Sequence, residues 1–241
     1  MRTLPSRPRL SNNTQKKLQA AALAIARSAD QKGTAKQIFK SARQAAWFYP
    51  VIQALRSMTG NGDPCMFCDS NESSNVEHYR PLSVFHRHAM TWDNFLWSCG
   101  ICNSAKGIKF PRNRASRLLN PIDDHAWDYL FIDEFGNLTP LWRDENNDFD
   151  QRAKATCDIL KLNREALQQR RNSRLKQLRQ NALDSLKLYH SGKIDLPNLK
   201  KRLETWKSEA FQPDVADYFL SGPGSQQSPF SEILRELGAR P

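Results

Sequence analysis

A chain of 241 residues, 39% of them hydrophobic, is long enough to bury a real core, as one elaborated domain or two small ones. It contains no run of about 18 apolar residues, and no apolar segment follows the basic start MRTLPSRPRL, so neither a spanning helix nor a secretory signal is expected and the protein reads as soluble and cytoplasmic. The net charge of +11 is unevenly spread: residues 1–60 carry 11 Lys/Arg against 1 acid, residues 61–150 carry 8 against 14, and residues 151–241 carry 17 against 10. Basic flanks around an acidic middle suit a polyanion at the flanks and a divalent cation between them. For any single basic segment, a solvated face is an equal reading.

Along the chain, Asn12 to Met58 shows helical spacing through Leu18, Ile25, Ile38, Val51 and Leu55, with breaks expected at Gly33 and Pro50. The turn-rich TGNGDP then leads into a compact mixed unit between Cys65 and Pro111. In it, Val76–Tyr79 reads as a short strand, WDNFLWSC as a more apolar second segment, and ICNSAKG as the start of a short helix or turn. Such a unit is too small to bury a core without a metal. DYLFIDEFGNLTPLW alternates around Glu134–Asn137 and predicts a β-hairpin whose strands extend or cover that unit. From Asp150 to about Tyr189 one long helical pattern carries the Arg-rich run QQRRNSRLKQLRQ. Short helices are expected near 196–210, 213–220 and 229–237, with SGPGSQQSP as a flexible connector. Composition shifts near residues 61 and 150 mark the boundaries.

Five cysteines in a long chain without a secretory signal do not suggest a disulfide scaffold. Four form two C-x-x-C pairs, Cys65/Cys68 and Cys99/Cys102, which supply the four soft ligands of a structural zinc. The 30 residues between the pairs exceed the usual ribbon spacing, so something is folded between the knuckles. Cys157, with apolar neighbours at helical spacing, reads as a buried small hydrophobe. A closed four-cysteine site leaves no position open for catalysis, so chemistry needs a second, harder site. Glu77 offers a carboxylate and Asn103 an amide oxygen of the kind that magnesium or manganese favours. His78 adjoins Glu77, yet neighbouring residues of a regular strand face opposite ways.

Arg80 and Lys106 are the nearest cations and are expected to contact phosphates. His86 and His88 could bind metal as an H-x-H pair but read as a loop pair near the groove, and His125 and His190 read as structural. Trp92, Phe95 and Trp97 read as packing for the small unit. The helix bearing Arg170, Arg171, Arg174, Lys176 and Arg179 is either a backbone-binding or partner-docking surface or a solvated face.

VEHYRP followed by TWDNFLWSCGICNSAKG, bracketed by the two cysteine pairs, resembles the HNH endonuclease family with its ββα-metal fold and four-cysteine zinc variant. With CMFC, GIKFP and LLNPIDDHAWDYLFIDEFGNLTP, the chain is similar to the longer HNH proteins that include the PtuB-like nucleases of Septu-type and retron anti-phage systems. The resemblance implies an α+β protein, mainly helical, around a small zinc-stapled ββα core with a following β-hairpin. Residues 1–60 would be a basic N-terminal helical region, 61–150 the HNH core with its zinc site and hairpin, and 151–241 a basic C-terminal helical region. It implies His78 as general base, Glu77 and Asn103 as ligands of a catalytic divalent cation, and Asn94 as the residue that orients His78 through its backbone or ring. Asn103 stands where many relatives have His and, as an oxygen ligand, favours magnesium or manganese.

The expected function is therefore hydrolysis of phosphodiester bonds in nucleic acid, DNA before RNA, by an anti-phage effector that partners a PtuA-like ATPase. No G-x-x-x-x-G-K-[ST] loop is present for ATP in this chain. The alternatives are a stand-alone restriction or repair nuclease and a non-catalytic zinc module that binds nucleic acid.

Overall fold

The computed structural model describes residues 1–72, 74–209 and 211–238. It is an α+β chain in which helices surround small antiparallel hairpins. Three helices open it: α1 (Asn12–Arg27), α2 (Gln31–Ala42) and α3 (Tyr49–Ser57). Ser11 caps α1 by accepting from the Thr14 amide at 3.2 Å, and Asp30 caps α2 by accepting from Gly33 N at 2.9 Å. The first helix ends at Arg27, with Ser28 as its C-cap, Asp30 starts the second, and Gly33, expected as the break, lies in the first turn of α2. Pro50 does mark a start, in the first turn of α3, where its missing N–H costs nothing.

The middle of the chain begins with the hairpin of β1 (Ser74–His78) and β2 (Phe95–Cys99), which pairs Glu77 with Leu96 and His78 with Phe95. The short helix α4 (Gly100–Lys106) follows at once. Phe39 of α2 and Phe48, just before α3, pack against Phe95, with ring centroids 6.0 and 5.5 Å apart. The N-terminal layer thus roofs this hairpin.

The second hairpin forms where alternation predicts it, from β3 (Leu130–Ile132) and β4 (Leu138–Pro140). It neither extends nor covers β1–β2. It is a separate two-stranded sheet packed against α5 (Gln151–Leu160) and α8 (Pro213–Leu220). Asn163 fixes it by accepting from Leu138 N and donating to Leu138 O, both at 2.8 Å. A third small pair joins β5 (Trp142–Arg143) to β6 (Asp148–Phe149).

The long helical pattern is two helices, α5 and α6 (Glu165–His190), because Lys161 adopts a left-handed φ of 51° and ends the first. α7 (Leu196–Ser208), α8 and α9 (Phe230–Glu236) follow at the expected places. The segment between α8 and α9 is not a flexible connector. Pro223–Gln226 forms a 3-10 turn, and Gly224 lies so close to the Tyr218 ring that an added Cβ would stand 2.6 Å from it.

The expected basic surface on α6 also needs correction. Arg171 and Arg174 are both 0% exposed, so neither offers a cation to a partner. Arg171 donates from Nε to Asp214 Oδ2 at 2.9 Å and from Nη1 to the Leu162 carbonyl at 2.9 Å. Arg174 donates to the Trp206 carbonyl at 2.7 Å and pairs with Glu209. The amino group of Met1 lies 3.0 Å from Asp214 and 3.1 Å from Asp69, so one buried charge network joins the N-terminal segment, the first cysteine knuckle and the C-terminal helices. Among the described residues, no helix is long and apolar enough to cross a membrane.

Candidate metal centre and the adjoining hairpin

The first cysteine pair sits on a tight turn. Asp69 N donates to Cys65 O at 2.8 Å and Cys65 N to Ser70 O at 3.0 Å, with Asp69 at a positive φ of 54°. Met66 docks the turn on β2: its amide donates to Trp97 O at 2.9 Å, and its sulfur accepts from Trp97 N at 3.2 Å. The second pair straddles the junction of β2 and α4, where Cys99 caps the helix by accepting from Cys102 N at 3.4 Å.

These two local structures bring four buried sulfurs within 4.8 Å of one another, and all four cysteines are free of disulfides. Tetrahedral zinc with Zn–S bonds of about 2.3 Å separates its sulfurs by about 3.8 Å, and Cys68 Sγ and Cys99 Sγ stand 3.8 Å apart. The donor set fits zinc in chemistry and in size. Arg164, at the start of α6, points Nη2 at Cys68 Sγ from 3.7 Å, so a cation of the C-terminal layer faces the thiolate cluster. Hydrogen bonding from neighbouring thiols, Cys102 first, draws Cys68 and Cys99 below the ordinary thiol value, whereas burial pushes Cys65 up. Cys157 stands apart, as expected: burial raises its thiol to about 11, and its sulfur faces the Leu138 carbonyl at 3.5 Å.

His78 closes β1 and is only 4% exposed, its ring set edge-on to Phe39 at 4.3 Å between centroids. Its Nε2 lies 2.9 Å from the Ala89 carbonyl. A carbonyl only accepts, so Nε2 carries the hydrogen and the neutral ring keeps its lone pair on Nδ1. Burial lowers the pKa of His78 to about 4, against the Ala89 bond and with help from the charges of Lys106 and Arg43. The imidazole is therefore neutral at pH 7.

Asn94 is buried and makes three side-chain bonds. Its Oδ1 accepts from Arg80 N at 2.8 Å, and its Nδ2 donates to Arg80 O at 3.1 Å and His88 O at 3.0 Å. The expected bond to His78 is absent; Asn94 instead closes the loop between the strands, and that loop carries Ala89 to the imidazole. Ala89 is a partner that no sequence motif announced.

Lys106 also departs from expectation. It is 2% exposed, and its ammonium donates to the backbone carbonyl of His78, so it ties α4 to β1 instead of reaching a phosphate. Burial lowers its pKa to about 8, with Glu77 opposing the shift. Glu77 is half-buried beside it, its carboxyl raised by burial against the pull of Lys106 and Arg43. Asn103 is half-buried one turn before Lys106, on the same face of α4. Arg80 turns away toward His88, donating to its Nε2 at 3.2 Å, and both line a polar cavity of about 260 Å³ with Asp93 and Asp123.

No protein-family model, curated protein or solved structure matches the chain.

Proposed function

We propose that this chain is a metal-dependent endonuclease of the HNH type that hydrolyses phosphodiester bonds of nucleic acid, DNA in the first instance. The observation that carries the reading is the state of His78. A hairpin and helix stapled by four cysteines hold a neutral imidazole whose Nε2 hydrogen is committed to Ala89, which leaves Nδ1 as the atom that takes a proton from water. General-base help of this kind is typically worth about 10² to 10⁴-fold. Asn94 positions the base by holding the loop that carries Ala89.

Glu77 and Asn103 would hold magnesium or manganese. When bound, the cation stabilises charge on the phosphate and on the leaving oxygen. Lys106 keeps β1 and α4 in register and lowers the charge cost of the half-buried Glu77 carboxylate. Zinc at Cys65, Cys68, Cys99 and Cys102 would staple this frame and take no part in the reaction. The defence role beside a PtuA-like ATPase rests on the sequence resemblance alone, and co-purification with such an ATPase separates it from a stand-alone nuclease.

The deep burial of His78 favours a second reading, a zinc module that binds nucleic acid without cutting it. The two readings divide on metal dependence. Glu77→Gln and Asn103→Ala should each raise the magnesium or manganese concentration needed for half-maximal cleavage by at least about tenfold. If both variants cut as the wild type does at every metal concentration, Glu77 and Asn103 do not hold the cation.

A further inference from the structure

Between α2 and the hairpin lies a cavity of about 220 Å³ whose rim includes Lys40, Arg43, Gln44, Asn75 and Trp97. α2 supplies its cations by the same geometry that roofs His78. Phe39 faces inward and meets the imidazole edge-on, so Lys40, the next residue, and Arg43, one turn on, come to the cavity rim exposed. The Arg43 guanidinium lies over the Phe39 ring at 4.9 Å, which orients it beside the hairpin.

Neither Lys40 nor Arg43 forms an ion pair with a described carboxylate, and no acid lines the cavity. Two unpaired cations with two neutral amides, Gln44 and Asn75, form the donor set that recognises a phosphate: a planar fork, a point charge and uncharged donors. The cavity reaches the hairpin directly, since Asn75 and Val76 of β1, just before Glu77, and Trp97 of β2 line it. A nucleic-acid backbone repeats its phosphates, so a strand held here would run past Glu77.

We propose that Lys40 and Arg43, with Gln44 and Asn75, form a phosphate clamp that holds the nucleic-acid strand beside the Glu77–His78 centre. This rests on the nuclease reading for the identity of the strand, but its test does not need cleavage. The clamp gives the basic N-terminal region a definite contact, while Arg171 and Arg174 of the C-terminal region stay inside the fold.

The test is fluorescence anisotropy of labelled duplex DNA and single-stranded RNA titrated with the full chain, without added divalent cation, across a series of KCl concentrations. Lys40→Ala/Arg43→Ala is compared with Lys200→Ala/Lys201→Ala, which removes the same charge from exposed positions on α7. The clamp variant should bind at least about tenfold more weakly at 0.1 M salt and lower the slope of log affinity against log salt by about 1 to 2, while the control stays within about threefold. Equal behaviour of the two variants overturns the clamp, whichever nucleic acid is used. Weakened binding by the clamp variant, in a protein that never cuts, would keep the clamp and discard the nuclease; unchanged binding with loss of cutting in His78→Ala would do the reverse.

Discussion

Arg170 and Arg171 are neighbours in one basic run, and the fold gives them opposite fates. Arg170 is 41% exposed, with Glu72 Oε1 3.6 Å away, so Arg170→Ala should cost less than about 1 kcal/mol. Arg171 is 0% exposed and is bonded to Asp214, which is also 0% exposed. Removing one partner of a buried pair typically costs about 3–5 kcal/mol, because the other charge is left without compensation. Asp214 keeps the Met1 ammonium at 3.0 Å, which puts Arg171→Met near the lower end, about 3 kcal/mol. For a chain of this size that is roughly a 6 to 12 °C fall in melting temperature. Burial by itself would raise the Asp214 carboxyl, but Met1 and Arg171 outweigh it and hold the carboxyl below the usual range. A group depressed in this way contributes its stability above the unfolded value of about 3.9 and loses it as the pH falls through the folded value. The gap between wild type and Arg171→Met should therefore narrow below about pH 4, as measured by urea denaturation at several pH values. A loss no larger than that of Arg170→Ala at pH 7 would refute the buried network.

Zinc analysis should give one ion per chain, with Cys68→Ser and Cys102→Ser losing both the metal and the cooperative melt, whereas Cys157→Ala keeps the metal and costs about 1 kcal/mol. Asn94→Ala leaves the Arg80 amide and two carbonyls without their partner and should cost about 2 to 4 kcal/mol by denaturant titration. Gly136 has a φ of 84°, and an added Cβ would meet the Gln168 carbonyl oxygen at 2.7 Å and Asn172 N at 2.9 Å, while Gly192 has a φ of 70° with nothing within 4 Å. Gly192→Ala should cost about 1 kcal/mol from backbone strain alone and Gly136→Ala clearly more, the difference reading the packing of the β3–β4 turn on α6. Because burial raises Cys157 to about 11, its alkylation at pH 8 should be far slower than that of a free thiol.

The features legible in the sequence are those written over short distances. The two C-x-x-C pairs announced the sulfur cluster because each knuckle is a single turn. The alternation around Glu134–Asn137 announced the β3–β4 hairpin because the pleat repeats every two residues. Helical spacing located α7, α8 and α9 for the same reason. What escaped is decided by partners far along the chain. Arg171 looks like a surface cation until Asp214 is brought to it across 43 residues, and Lys106 looks free until the carbonyl of His78, 28 residues earlier, accepts its ammonium.

The same distance hid much of the surroundings of His78. A bond to Ala89 and the packing of Phe39 leave no local mark on VEHYRP, so the tautomer of the imidazole could not be read beforehand. The end of α5 was missed for a different cause. Lys161 takes a left-handed conformation that Gly or Asn would have advertised. The segment 221–229 reads as a linker by composition, yet small residues there permit close approach to Tyr218 and Phe219.

The most direct measurement of the central claim is cleavage of labelled DNA by purified wild-type protein and by His78→Ala, each with magnesium and with manganese, after zinc content and melting show both proteins folded. A nuclease built on His78 cuts only with the added divalent cation and loses at least about 10²-fold in single-turnover rate in the variant. Cleavage by zinc-loaded His78→Ala at the wild-type rate, or no cleavage by the wild type of DNA or RNA with either metal, alone or with an added PtuA-like ATPase, would contradict it.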